Sequence, residues 1–365
     1  MHIPDTLKSI LDQLIKNGAR PILVGGFVRD HFLGIDSKDI DIEVYGLDTL
    51  ENLASILEEF GSVNFVGKSF GVLKLKVDRD EFDFSFPRTE NKSGIGHTGF
   101  DVKVDGSMSY AEGARRRDFT VNSIGYDYKD KSFIDPFLGI SDLENKTLKH
   151  IDEDTFIEDP LRVYRGIQFC ARFELDLDED TRKLFYKMID EDEFKTLPKE
   201  RVFEEYKKLL LKSKKPSIGL KLIDEFKIDI IPIELQNKID NLVKIKTDDE
   251  KINLVLFFYY LENIFKKISA DIKLQRDMES LKQFKIPKIY ENKIVSLNNE
   301  QEILKEKYFM MKNMPDPLLM GKDLIEAGMK PNPQFKNILD EIYQKQLDGK
   351  IKSKKEALKL LKNYF

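Results

Sequence analysis

Two aspartates one residue apart, Asp39 and Asp41, carry the sharpest chemical signal in the chain. On a strand, alternate side chains share a face, so Asp39, Asp41 and Glu43 project one way and Ile40, Ile42 and Val44 the other. Two carboxylates on one face with no base between them repel, and a hard divalent cation with oxygen ligands offsets that repulsion. Just upstream, Ile22, Leu23 and Val24 read as a buried strand. Gly25 and Gly26 break it, being free in φ and ψ and leaving no Cβ in the way of a ligand. Residues 27–33 read as a short helix containing Arg29 and Asp30, and its unpaired first N–H groups favour an anion such as phosphate. A glycine turn for phosphate beside a carboxylate pair for Mg²⁺ is the minimum equipment for phosphoryl or nucleotidyl transfer. A solvated acidic strand edge is the plainer reading of Asp-x-Asp alone; the glycines, Arg29 and Asp30 beside it weigh against that.

Further along, Glu81, Asp83 and Ser85 alternate with Phe82, Phe84 and Phe86, three phenylalanines at period two that read as core. The run Arg115-Arg116-Arg117-Asp118-Phe119-Thr120-Val121-Asn122 reads as the N-terminus of an apolar helix, where guanidinium forks suit phosphate and ribose oxygens. In Glu158-Asp159-Pro160-Leu161-Arg162, aspartate and proline begin a helix well. The early arginines, Arg162 and Arg165, are disfavoured there by the macrodipole. Residues three apart share a helix face, so Asp159 and Arg162 point together, one offering acceptors and the other donors, enough to read the edge of a base.

The elements that must hold these residues fall into two halves. Residues 4–18 and 48–60 read as amphipathic helices, and strand signals stand at 62–66, 71–77 and 81–86, with a turn at 78–80. The result is an α/β layer with one sheet face helix-covered and the other open to substrate. Residues 87–113 hold glycines at 94, 96, 99, 106 and 113 and little periodicity, and so read as a long loop; such loops are uncommon unless functional or disordered. His97 there is a lone histidine with no partner ligands. Beyond residue 150 the signals are helical only.

Leu23-Val-Gly-Gly-Phe-Val-Arg-Asp30 followed by Asp39-Ile-Asp41 resembles the first motif of the class II tRNA nucleotidyltransferases and bacterial poly(A) polymerases, which are polymerase-β-like nucleotidyltransferases. Arg116-Arg117-Asp118-x-x-x-Asn122 resembles the second motif, which selects ribose over deoxyribose. Asp135-Pro136-Phe137 with Gly139 and Asp142 resembles a hinge, although the family often has two adjacent glycines where this chain has Leu138-Gly139. Glu158-Asp159-x-x-Arg162 resembles the fourth motif, a protein template in which aspartate and arginine pair with cytosine or adenine and the glutamate holds the arginine. Leu197-Pro198-Lys199-Glu200-Arg201 resembles the fifth, a helix start that buttresses the template helix. Residues 89–113 fall where the family has a flexible loop that helps switch from CTP to ATP, and the segment around Gly321-Lys322 is similar to one that meets the tRNA elbow.

The resemblance implies an α+β fold, a polymerase-β-like head with a mixed sheet and helices over 1–150. An all-α neck (151–215), body (216–300) and tail (301–365) would follow. It implies Asp39, Asp41 and Asp83 as catalytic carboxylates, the first two also as ligands of two Mg²⁺ ions. Gly25, Gly26, Arg29, Arg88, Arg116, Arg117, Asp118, Asn122, Glu158, Asp159, Arg162 and Arg165 would bind nucleotide. The implied reaction is addition of C, C and A to the tRNA 3′ end from CTP and ATP with no nucleic-acid template. An A-adding or CC-adding specialist, a poly(A) polymerase and, from another class, a non-catalytic RNA-binding module share part of this pattern.

The composition bounds the setting. The 365 residues, 41% of them hydrophobic, are enough for two or three domains. At a net charge of −5 the chain has no overall basic character, so contact with tRNA at its 3′ end and its acceptor and elbow regions should be local. A single cysteine, Cys170, excludes an internal disulfide and suits a reducing cytoplasm. No apolar run approaches a membrane span, and nothing in the sequence fixes an oligomeric state.

Overall fold

The computed structural model describes residues 1–66, 71–92, 100–269, 271–287, 290–297 and 299–364. The chain forms two compact units, Met1–Gln236 and Asn237–Phe365.

The first unit begins with α1 (Asp5–Lys16), β1 (Arg20–Val24), α2 (Gly26–Phe32), β2 (Asp41–Tyr45), α3 (Leu50–Leu57), β3 (Ser62–Val66), β4 (Val72–Val77) and β5 (Asp80–Ser85). β6 (Arg88–Lys92), β7 (Phe100–Val104), α4 (Tyr110–Arg115), β8 (Gly125–Asp127), β9 (Ser132–Ile134), α5 (Gly139–Glu144) and β10 (Thr147–Leu148) complete the head. Seven strands form one sheet in the order β3-β4-β5-β2-β1-β8-β9, so β2 is the central strand and β1, which leads into the glycine turn, lies beside it. β2 runs parallel to β5, and every other pairing in this sheet is antiparallel, which makes it mixed. α1 buries Leu7, Ile10, Leu11 and Leu14 at i, i+3, i+4 and i+7, the spacing of one helix face, and packs on β1 and α3. Phe82, Phe84 and Phe86 are core, as their alternation predicts.

Three sequence expectations change. The loop expected over 87–113 contains a hairpin, β6 paired antiparallel with β7 from Arg88↔Val104 to Lys92↔Phe100. Main-chain pairing holds it, and a polar, glycine-rich composition does not advertise that. Gly94, Gly96, His97 and Gly99 lie outside the described residues. The arginine run does not open a helix. α4 starts at a capping box in which Ser109 and Glu112 satisfy each other's backbone N–H, and it ends at Arg115, with Arg116 as its C-cap. The guanidiniums therefore sit at a helix C-terminus, where the macrodipole favours cations. Finally, strand structure does not stop at 150: β11 (Asp176–Leu177) pairs parallel with β10.

The helical part of this unit comprises α6 (Glu153–Phe156), α7 (Leu161–Phe173), α8 (Glu179–Asp190), α9 (Asp192–Lys195), α10 (Lys199–Lys212) and α11 (Pro216–Glu225). α7 packs against α10 and α11. Gly219 lets α11 come close, since a Cβ there would lie 2.5 Å from Leu209 on α10 and 3.2 Å from Ala171 on α7, and Gly166 on α7 leaves room for the ring of Phe185 on α8, 2.5 Å from where its Cβ would be.

The second unit is helical throughout its described residues. Near its C-terminus, Leu319, Leu324, Ile338, Ile342, Ile351, Ala357 and Leu361 form a core of their own. Gly321–Glu326 is a short helix whose Asp323 is buried and ion-paired with Lys354 at 2.6 Å. Among the described residues no helix is long and apolar enough to cross a membrane.

Candidate active site

Asp41 is the first residue of β2, and Asp39 precedes the strand. Across one edge Asp41 is the register partner of Val24, the residue before the glycine turn; across the other it is the partner of Asp83 on β5. Gly25 has φ 70° and ψ −135°, a conformation closed to residues with a Cβ. A Cβ there would meet Arg117 Nη1 at 3.4 Å and Asp41 Oδ2 at 3.5 Å. The turn, the first carboxylate and an arginine thus converge on one spot. Asp41 reaches solvent, yet burial by the surrounding protein raises its carboxyl from its ordinary value. Arg117 opposes this, and the charges of Asp83, Asp39 and Glu43 add to it. Asp83 is half-buried, with Lys74 Nζ 3.5 Å from its Oδ1.

Behind this edge the arginines are tightly anchored. Glu43, two residues beyond Asp41, is only 1% exposed. Its Oε1 accepts from Arg116 Nη2 at 3.1 Å and Arg117 Nη2 at 2.7 Å, and its Oε2 accepts from the Tyr45 hydroxyl at 3.0 Å. Burial would raise its carboxyl, but Arg117 and Arg116 hold it below the usual value. Asp118 is buried as well; its Oδ2 accepts from Arg165 Nε at 2.8 Å and Nη2 at 2.6 Å, a two-pronged pair. Its Oδ1 accepts from Asn122 Nδ2 at 2.8 Å. Asn122 Oδ1 in turn accepts from Arg29 Nη1 at 2.6 Å, and Arg29 also donates to Asp30 and lies 4.4 Å over the Phe173 ring. One network therefore runs from α2 to α7 through the second motif.

The α7 end supplies the third wall. Asp159 Oδ1 accepts from the N–H of Leu161, the first residue of α7, at 3.2 Å. Its Oδ2 faces Arg201 Nη2 at 3.1 Å. Arg162 donates from Nη1 to the Thr155 carbonyl at 2.8 Å and from Nη2 to the Arg116 carbonyl at 2.7 Å.

All three walls line one cavity of about 470 Å³. From the head come Gly25, Gly26, Arg29, Asp41, Arg88, Arg116, Arg117, Asp118 and Asn122; from the helical part come Asp159, Arg162 and Arg165. Twelve of the fifteen lining residues are ones the sequence singles out for nucleotide or metal. Asp39 and Asp83 stand outside the lining, beside Asp41. Glu158 lines a different cavity, of about 460 Å³, with Ile157, Pro160 and Met188. Sequence reasoning did not assign Phe169 to the site, and read Arg201 only as a buttress; both line the cavity. It also left Glu43 without a role, although its place two residues after Asp41 is the signal that finds it.

A cavity with a carboxylate edge, a glycine turn and seven arginines is thus set on a mixed sheet with a helical extension. The profile of the "Poly A polymerase head domain" family matches residues 22–149, and that of the "Probable RNA and SrmB-binding site of polymerase A" matches 174–229. The chain belongs to this family of poly(A) polymerases and tRNA nucleotidyltransferases. The multifunctional CCA protein of Mannheimia succiniciproducens is 39% identical over 204 residues, 55% of this chain and 46% of that protein. The one from Vibrio campbellii is 38% identical over the same length, 48% of that protein. The chain thus spans about half the length of the curated relatives it matches. Among solved structures, the Bacillus stearothermophilus CCA-adding enzyme in complex with CTP is similar at a TM-score of 0.71 and 21% identity, covering 99% of this chain and 98% of that one. The Thermotoga maritima CCA-adding enzyme complexed with tRNA gives 0.67 and 21%, covering 100% and 96%. At these identities the likeness is one of fold.

Proposed function

We propose that the chain adds C, C and A to the 3′ end of tRNA, with CTP and ATP as substrates. The observation that carries this reading is the shared cavity: Asp41 and the glycine turn form one wall, and Asp159 and Arg162 another, so a nucleotide held there meets transfer chemistry and base-reading groups at once. The curated relatives named as multifunctional CCA proteins support it.

The residues fit a hard divalent cation. Asp41 is crowded by the charges of Asp39 and Asp83, a repulsion that a bound cation relieves. Among the described residues no three His, Cys, Asp or Glu side chains close round one point. Asp39 and Asp41 would therefore hold Mg²⁺, with phosphate and water oxygens completing its shell. Bound there, Mg²⁺ supplies charge neutralisation for the triphosphate and acidity for the attacking hydroxyl. Asp83 polarises the tRNA 3′-hydroxyl, which attacks the α-phosphate in line as pyrophosphate leaves. The arginines facing the cavity bind the triphosphate and ribose. Asp159 and Arg162 select cytosine or adenine by hydrogen-bond complementarity, which excludes mismatched bases more strongly than shape does. Such an enzyme works in the cytoplasm, where tRNA and nucleoside triphosphates meet.

Primer extension tests the reading. Three tRNA transcripts, ending before the first C, after the first C and after the second, are incubated with Mg²⁺ and CTP, ATP or both, and their 3′ ends are sequenced. Complete CCA on all three is expected. Only CC or only the last A would make the protein a specialist, long A runs would make it a poly(A) polymerase, and no incorporation by folded protein would leave an RNA-binding module. Asp41→Ala should lower incorporation on the order of a thousandfold while tRNA binding in a filter assay stays near wild type.

A further inference from the structure

Glu43 touches none of the groups that read a base, yet it holds the residue that aims one of them. Its Oε1 accepts from both Arg116 and Arg117, and its burial leaves no water to take their place. Arg116 faces two ways. Its side chain pairs with Glu43 on β2, and its main-chain carbonyl accepts from Arg162 Nη2 at 2.7 Å. The other terminal nitrogen of Arg162 donates to the Thr155 carbonyl. Two carbonyls therefore set the plane of the Arg162 guanidinium, and one of them belongs to a residue tethered to the strand that carries Asp41. The same carboxylate holds Arg117 against the glycine turn, where Gly25 leaves room for it.

We propose that Glu43 is a positioning residue for base choice: by anchoring Arg116 it fixes the carbonyl that aims Arg162, and so ties nucleotide selection to the catalytic strand. This rests on the reading of Arg162 as a base-reading group. A guanidinium selects by angle as much as by charge, and a misplacement of about 1 Å costs roughly a hundredfold in a positioned site. A swing of the 116–118 segment should therefore loosen selection before it abolishes transfer.

The test uses the full chain and a tRNA transcript lacking its CCA, with CTP, ATP, UTP and GTP supplied singly, and reads kcat/KM for each. Glu43→Gln keeps the shape but loses the acceptor charge that two guanidiniums share. It should lower the CTP-over-UTP preference by roughly tenfold or more, chiefly through a higher KM for CTP, and Glu43→Asp should recover part of it. Tyr45→Phe removes the hydroxyl that donates to Oε2 and leaves both arginine pairs, so it should keep the wild-type preference even if its melting temperature falls. Two results overturn the proposal: a Glu43→Gln enzyme that is slower but selects as wild type does, or a Tyr45→Phe enzyme that loses selection equally. If Glu43→Gln does not fold, Glu43→Asp decides: an unchanged preference with the shortened carboxylate overturns it, and a reduced one supports it. A wild-type enzyme with no preference among the four nucleotides would sink the base-reading assignment itself, an outcome distinct from failure at Glu43 alone.

Discussion

Arg162 and Asp118 show two ways in which one site fixes its charged groups. Arg162 has both terminal nitrogens on carbonyls, so its direction is fixed before any nucleotide arrives. Arg162→Ala should retain transfer but lose discrimination by roughly 10²-fold or more, because the matching hydrogen bonds and the penalty on mismatched bases vanish together; incorporation of each nucleotide in separate reactions measures it. Asp118 is a buried carboxylate. Burial alone would raise its carboxyl, but Arg165, Asn122 and Arg162 bring it down to about 2. Its folded pKa lies below its ordinary value of 3.8, so the stability it contributes is present above about pH 4 and is lost as pH falls towards 2. That contribution is on the order of 2 kcal/mol. Denaturant unfolding at pH 6 and pH 3 should show the drop in wild type and a smaller one in Asp118→Asn, which starts less stable. These residue types were legible in the chain, since carboxylates and arginines at fixed spacings announce themselves. Their partners were not: nothing in the spacing pairs Asp159 with Arg201 or Glu43 with two arginines, because those contacts join residues 42 to 74 positions apart.

At the scale of elements, the turn before α5 departs from the family in a way that can be measured. Leu138 has φ 62° and is 69% exposed, a left-handed leucine held by its neighbours. Asp135 Oδ1 and Oδ2 accept from the Gly139 and Ile140 N–H groups, which fixes the turn. A left-handed residue other than glycine costs about 1 kcal/mol, so Leu138→Gly should stabilise by about that much. Gly139 is the glycine that the packing demands: a Cβ there would lie 2.2 Å from the Thr120 carbonyl oxygen. Gly139→Ala should destabilise by roughly 2 kcal/mol, and thermal melts of the two variants should move in opposite directions. The sequence pattern placed α1, β1, β2 and the phenylalanine strand because their hydrophobic periods are strong. It misplaced the arginine run because Phe119, Val121 and Ile124 suggest a helix. In fact the helix of this stretch starts at the Ser109–Glu112 box and ends at Arg115, Thr120–Asn122 makes only a single 3-10 turn, and Phe119 is drawn into a bridge with His150.

For the whole molecule, every residue lining the arginine-rich cavity lies in Met1–Gln236. A protein ending at residue 236 should bind CTP and ATP within about threefold of the full chain, roughly 0.65 kcal/mol, as read by calorimetry. Loss of binding in a folded fragment would contradict that assignment. After Arg201 the only arginine is Arg276, and the basic residues of the second unit are lysines. Lysine attracts phosphate in a salt-sensitive way without reading bases. RNA affinity lost by the fragment should therefore be the salt-dependent part, measured as a shallower dependence of binding on ionic strength.

The sequence by itself determined the candidate groups and most of the elements that carry them. The Asp-x-Asp, the glycine turn, the second motif and the Asp159–Arg162 pair are each local, and local chemistry is written in local spacing. Only the tertiary structure decided their mutual arrangement. It set Asp83 in register with Asp41, brought Arg201 to Asp159, buried Glu43 beneath Arg116 and Arg117, and aimed Arg162 through a carbonyl of the head. Those contacts depend on strand order and on how closely α7 approaches the sheet, quantities fixed by packing across the whole unit rather than by any one stretch of chain.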